Sequence, residues 1–113
     1  MSTIIRMQRP TQGDLSVVAQ QLKQNLRRGE LTGESRRNGD TASAMMLNFE
    51  KYYFRNGSYA ALSVMLTDLG GIQTADIVGS GGGEGIFNIS LGANSEFAQD
   101  AAAILWKIGF RQE

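Results

Sequence analysis

The sequence has neither cysteine nor histidine, and these two absences remove most of the common catalytic and metal-binding chemistry. Without cysteine the chain has no disulfides, no thiolate ligands and no cysteine nucleophile. Without histidine it lacks the commonest general base and the usual ligand of zinc and haem. We therefore expect no cofactor and no metal site, and the composition favours a non-enzymatic protein over an enzyme.

A charge surplus and a long apolar run are also missing. Eleven basic residues balance eleven acidic ones, so the net charge is zero, whereas proteins that bind nucleic acid usually carry a basic excess. No apolar segment approaches the roughly 18 residues of a membrane-spanning helix, and the amino-terminal segment lacks the apolar region of a signal peptide. These absences predict a cytoplasmic protein without nucleic-acid or membrane partners, and the zero net charge favours self-association.

Two amphipathic helices are predicted within a single domain, residues 1–113. The first helix, about Gln12–Arg28, begins after a capping box headed by Thr11 and ends at Gly29. The second helix is expected at Ser95–Ile108. Apolar residues recur at helical spacing in both segments, and we expect these to be buried: Leu15, Leu22, Leu26, Phe97, Leu105 and Ile108.

Two Asn-Gly pairs, Asn38-Gly39 and Asn56-Gly57, predict tight hairpin turns between antiparallel strands. The strand that joins them loses its apolar alternation at Lys51, which either a bulge near Glu50-Lys51 or a short helix over Ala44–Lys51 would explain. The strands of the resulting meander are expected at Leu31–Arg37, Thr41–Arg55, Tyr59–Thr67 and Ile72–Val78, with shorter strands at Thr3–Met7 and Ile86–Leu91.

The expected fold class is α+β: an antiparallel meander sheet of four to five strands with two helices packed on one face. Each helix has one apolar stripe and the meander has one apolar face, so both helices should cover the same side of the sheet. The opposite face would carry mixed residues such as Tyr52, Ser63 and Met65. That face would be solvated or would pair with another copy of the chain.

The glycine-rich loop Gly79–Gly85 follows directly after an apolar strand. Its spacing departs from the dinucleotide fingerprint and from the phosphate loop, since no lysine lies nearby and the segment leads to a predicted strand. Backbone amides at Gly81, Gly82 and Gly83, with Glu84 beside them, would form a nest for a small anion. The alternative is a connection between two strands that binds nothing.

A second candidate is the mixed segment Glu50–Arg55. Alternation places Lys51, Tyr53 and Arg55 on one face of the strand. Tyr53 and Arg55 would suit a carboxylate or phosphate, because a guanidinium grips such groups through two parallel hydrogen bonds. The alternative is an amphipathic strand whose charges are solvated.

Three segments carry a resemblance to a known class of protein: Phe49–Asn56, Ala61–Val64 and Gly79–Gly83. Together they resemble small bacterial domains of unknown function over most of the chain. The resemblance implies a bacterial cytoplasmic protein of one domain, and it brings no catalytic residues. We therefore expect a non-enzymatic domain that forms a homodimer and binds a small anionic ligand or a protein. The alternative is an anion- or nucleotide-binding protein or enzyme that uses Gly79–Gly85.

Overall fold

The computed structural model describes the fold of residues 2–11, 13–53, 57–81 and 91–113. The described strands form one six-stranded antiparallel sheet, and the two described helices contribute to a single core on one of its faces. The elements in chain order are β1 (Ser2–Arg9), α1 (Leu15–Asn25), β2 (Glu30–Asn38), β3 (Ala42–Tyr53), β4 (Ser58–Leu69), β5 (Gln73–Gly81), α2 (Leu91–Lys107) and β6 (Arg111–Gln112). The predicted α+β class is confirmed, but the sheet has six strands rather than four to five.

The strand order across the sheet is β2-β3-β4-β5-β1-β6. The predicted meander of β2 to β5 is confirmed, because each of these strands pairs with the next one along the chain. β1 instead lies between β5 and β6 and pairs with both. The predicted strand Ile86–Leu91 is wrong at Leu91, which begins α2, and its other residues lie outside the described part of the chain.

α1 is shorter than predicted at both ends. Asp14, rather than Thr11, is its N-cap, and the carboxylate accepts a hydrogen bond of 2.9 Å from the Ser16 backbone N–H. At the other end Arg28 makes the left-handed turn, with a φ of 61°. Gly29 has a different role from the predicted C-cap. A Cβ atom there would lie 3.3 Å from the Phe97 ring, so glycine lets α2 approach closely.

The predicted bulge near Glu50-Lys51 is wrong, and so is the alternative short helix. β3 pairs with β4 without interruption from Ala42, opposite Leu69, to Tyr53, opposite Ser58. Lys51 therefore stays on the helix-covered face, where a long aliphatic stem can be buried while the ammonium reaches a polar environment. The register shift of the sheet lies in β2 instead, between Leu31 and Gly33.

The core is formed by the helices and the covered face of the sheet. The predicted core residues are buried except Ile108, which packs against the core while partly exposed. α2 ends at a left-handed Gly109 with a φ of 106°, and the Phe110 N–H donates to the Leu105 carbonyl at 3.0 Å. This closure buries Phe110. Neither described helix combines the length and apolar character needed to cross a membrane.

Candidate functional site

Lys51 lies on the covered face of β3 with its side chain 12% exposed. Its Nζ atom is 4.9 Å from the centre of the Tyr53 ring and 5.7 Å from the centre of the Phe97 ring. These aromatic faces stabilise the cation electrostatically. The nearest carboxylate oxygen, Asp100 Oδ2, is 3.7 Å away, which is beyond hydrogen-bond distance. Within the described part of the chain, the ammonium therefore has partial charge compensation and no hydrogen-bond acceptor.

A cavity of 230 Å³ opens beside this ammonium, where the end of α1 meets α2 and β3. Among the described residues, its polar lining carries two cations and one carboxylate, which gives this part of the cavity a positive balance of charge. No carboxylate among the described residues forms an ion pair with Arg27, the second cation. The lining residues are Asn25, Arg27, Lys51, Asp100, Ala103 and Ile104.

A different polar cluster lies at the opposite end of the sheet, around the fully buried Gln73. The Gln73 amide donates to the Gly13 carbonyl and to Asp68 Oδ2, both at 3.2 Å. Its Oε1 atom accepts a 2.8 Å hydrogen bond from Arg9 Nε. Arg9 also donates to the Ile108 carbonyl, and burial lowers the pKa of its guanidinium, which still stays charged. The cluster ties β1, β4, β5 and the ends of both helices together.

A second cavity, of 490 Å³, lies next to this cluster among the turns of the sheet. Asp40 and Asp68 contribute its carboxylates. Asp68 Oδ2 already accepts hydrogen bonds from Gln73 and, at 3.3 Å, from the Gly13 N–H. Across the described ranges, no group of three or more acidic residues is placed to hold a metal ion.

The sheet surface that faces away from the helices is here called the open face. It carries cross-strand pairs of exposed apolar residues, such as Met46 opposite Met65. The rings of Tyr52 and Tyr59 are 4.9 Å apart and tilted by 58°. The exposed apolar residues of this face are Ile4, Met46, Tyr52, Tyr59, Met65 and Leu69.

The structure describes two of the residues that the sequence assigns to a ligand site. Tyr53 is buried on the covered face, next to Lys51, and Gly81 is the last residue of β5. Register places Lys51, Ala60 and Gly81 in one row across three strands, so the backbone of Gly81 lies roughly 10 Å from that of the lysine. The other assigned residues lie outside the described ranges and remain predictions: Arg55, Gly82, Gly83 and Glu84.

Sequence reasoning missed that Lys51, Arg27 and Asp100 line one cavity. The signal in the sequence is the charge of Lys51, which interrupts the apolar alternation of β3. The pattern favours a bulge or a short helix there, whereas the structure keeps the lysine on the core side of a regular strand. Asp100 carries no local signal, because solvent-exposed helix residues are commonly charged, and Arg27 is visible only as part of the basic pair Arg27-Arg28. Only the packing of α1 against α2 brings them together.

Fold and surface define a small α+β domain that has one helix-covered sheet face and one open face. Comparison with known protein families matches residues 5–109 to DUF6054, a family of unknown function. The match spans most of the chain, and the protein therefore belongs to this family. No curated protein matches the chain. Family membership agrees with the resemblance found in the sequence and assigns no activity to any residue.

Proposed function

We propose that this protein is a non-enzymatic domain of the bacterial cytoplasm that works as a homodimer, formed by pairing the open faces of two copies. The observation that carries this proposal is the set of exposed apolar side chains on that face. Met46, Met65, Tyr52 and Tyr59 lie on the neighbouring strands β3 and β4, and Ile4 lies on β1. Large exposed apolar patches on soluble proteins mark interaction surfaces.

The open face is better suited to contact a second copy of the chain than either edge of the sheet. β2, at one edge, has a register shift after Leu31 and carries the charged residues Glu34, Arg36 and Arg37. Bulges and charges on an edge strand oppose pairing with another strand. β6, at the other edge, has two residues. Within the described part of the chain, neither β2 nor β6 therefore offers a long, regular ladder of free backbone groups.

A second copy of the chain is the occupant that fits this face. Arg6 and Asp76 lie opposite each other on β1 and β5, so the face carries both signs of charge close together. A two-fold arrangement would set each charge near the opposite charge of the other copy. Methionine side chains adapt to an irregular surface, which suits contact between two identical faces.

The size of the face sets the expected strength of the dimer. Four strands spaced about 4.8 Å apart, each about eight residues long, cover roughly 500 Å² per copy. The total of roughly 1,000 Å² is at the lower end for specific interfaces. We therefore expect a weak dimer that dissociates in the micromolar range.

Sedimentation equilibrium over a wide concentration range tests the proposal. Met65→Lys places a charge at the centre of the open face and should weaken dimerisation by at least about tenfold. Val17→Lys is the matched control, because Val17 is an exposed apolar residue on α1, on the other side of the sheet. A monomer at high micromolar concentration, or equal effects of the two substitutions, would rule out the open-face dimer.

A further inference from the structure

We propose that the 230 Å³ cavity between α1, α2 and β3 binds a small organic monocarboxylate, held by Lys51 and Arg27. The site is independent of the proposed homodimer, because the cavity lies on the helix-covered side of the sheet. The described residues that line it belong to α1, α2, β3 and the turn after α1.

The Lys51 ammonium lacks a hydrogen-bond acceptor among the described residues. An ammonium has three N–H donors, and removing it from water costs free energy unless those donors find acceptors. The Tyr53 and Phe97 rings contact the cation, and Asp100 Oδ2 is 3.7 Å from it. A carboxylate oxygen in the cavity would accept the hydrogen bonds that the described residues do not.

Arg27 supplies the second cation. Arg27 lines the same cavity, and its guanidinium forms no ion pair with any described carboxylate. A guanidinium can bind both oxygens of one carboxylate through parallel hydrogen bonds. The neighbouring Asn25 amide is already engaged, since its Nδ2 atom donates to the Gln21 carbonyl at 2.9 Å. Of the described lining residues, Lys51 and Arg27 are therefore the charged donors available to an anion.

The remaining walls define what kind of anion fits. Ala103 and Ile104 present aliphatic surface from α2, which suits a short apolar body attached to the carboxylate. The volume equals that of about eight water molecules at roughly 30 Å³ each, so a carboxylate with a few carbon atoms fits inside it. Asp100 would repel a second negative charge, so a monocarboxylate should bind more tightly than a phosphate dianion.

NMR titration of the whole chain tests the proposal with acetate, butyrate and isovalerate, using sodium chloride at matched ionic strength as the blank. We expect saturable shifts of the Lys51, Arg27 and Ala103 amides, with butyrate binding more tightly than acetate and inorganic phosphate more weakly than butyrate. Shifts that follow those of sodium chloride, or that never saturate, would overturn the proposal.

Substitutions separate the proposed contacts from general charge effects. Lys51→Met should weaken butyrate binding by about tenfold or more, as expected for the loss of a charge-assisted hydrogen bond. Arg28→Gln removes the same charge one residue after Arg27 but leaves the lining unchanged, so affinity should stay within about twofold. Asp100→Asn should tighten binding by about three- to tenfold, because it removes the repelling carboxylate. Unchanged binding by the Lys51 variant, or weaker binding by the Asp100 variant, would contradict the site.

A steric variant keeps the test decisive if the Lys51 variant fails to fold. Ala103 is exposed on α2 and lines the cavity, so Ala103→Phe would fill the space without changing any charge. A folded Ala103→Phe protein should lose the saturable butyrate shifts. If it binds butyrate as the unsubstituted chain does, the ligand lies elsewhere and the proposal is wrong.

Discussion

Gln73 and Lys51 are two polar residues on the same covered face of the sheet, at opposite ends, and their surroundings differ. Gln73 has a hydrogen-bond partner for its amide and its carbonyl oxygen and is fully buried. Lys51 has aromatic contacts and an ion pair at 3.7 Å. A buried polar group with all its partners in place specifies the fold, whereas one with unfilled donors is available to a ligand.

The comparison predicts that Gln73→Met is the most damaging polar substitution. Methionine has a similar volume but leaves Arg9 Nε, Asp68 and the Gly13 carbonyl each without one partner. We expect the free energy of unfolding to fall by about 2 kcal/mol, the usual cost of orphaned polar groups. Urea denaturation measures this loss. Gln8→Met, on the open face of β1, is the control and should change stability by less than about 0.5 kcal/mol; equal losses would show that the cluster is not structural.

A double-mutant cycle between Arg9 and Gln73 sharpens the first prediction. Arg9→Met removes the donor to Gln73 Oε1. If the two side chains act as one unit, the double variant should be more stable than the sum of the single effects implies, by about 1 kcal/mol. Urea denaturation of the four proteins provides the numbers. An additive result would mean that the two residues contribute independently.

Lys51→Met should have a smaller effect on stability than Gln73→Met or Arg9→Met. The substitution gives up the cation–aromatic contacts and a long ion pair, but it buries an apolar side chain in place of a partly desolvated charge. We expect the free energy of unfolding to change by less than about 1 kcal/mol in either direction. A loss above about 2 kcal/mol would make Lys51 a structural residue like Gln73.

Asp14 provides the smallest expected effect, because its carboxylate is exposed at the start of α1. Hydrogen bonding from the Ser16 backbone N–H, followed by the contact with Arg36, lowers the pKa of Asp14 to about 2. The unfolded chain has a higher pKa for this group, near 4. The ionised carboxylate therefore stabilises the fold above pH 4, and this contribution is lost as the pH falls from about 4 to about 2.

The measurement is thermal unfolding between pH 2 and pH 5 for the unsubstituted chain and for Asp14→Asn. Asparagine preserves the N-cap hydrogen bond but does not titrate. Below pH 4 the melting temperature of the variant should fall less than that of the unsubstituted chain. Identical pH profiles would show that Asp14 does not contribute to the acid sensitivity of the fold.

Local sequence patterns predict the helices and the meander, but they do not predict which strands pair when those strands are distant in the sequence. The Asn38-Gly39 turn and the alternation of β4 are signals within a few neighbouring residues. The position of β1 in the sheet depends on which distant strand has an unpaired edge. β6 has two residues, which are too few to show the alternation of a strand. The start of α1 differs from the prediction because Thr11 and Asp14 are both good N-caps, and tertiary packing selects between them.

The candidate site was less predictable than the fold. Lys51 was visible as an interruption, but the sequence does not reveal that the register of β3 continues through it. Arg27 lies in the turn after α1 and Asp100 lies in α2, and the close contact of Gly29 with the Phe97 ring brings the turn and α2 together. Such a contact between distant residues leaves no pattern in a single sequence.

The position of β1 between β5 and β6 has a consequence for synthesis on the ribosome. Arg9 on β1 is separated by 64 residues from Gln73, its partner on β5. At the usual elongation rate of about 5–20 residues per second, β1 waits roughly 3–13 s for that partner to be made. During this time the apolar side chains of Ile5 and Met7 lack their native neighbours on β5. The nascent chain should therefore depend most on chaperones before β5 emerges, and the meander of β2 to β4 is the part that can form first.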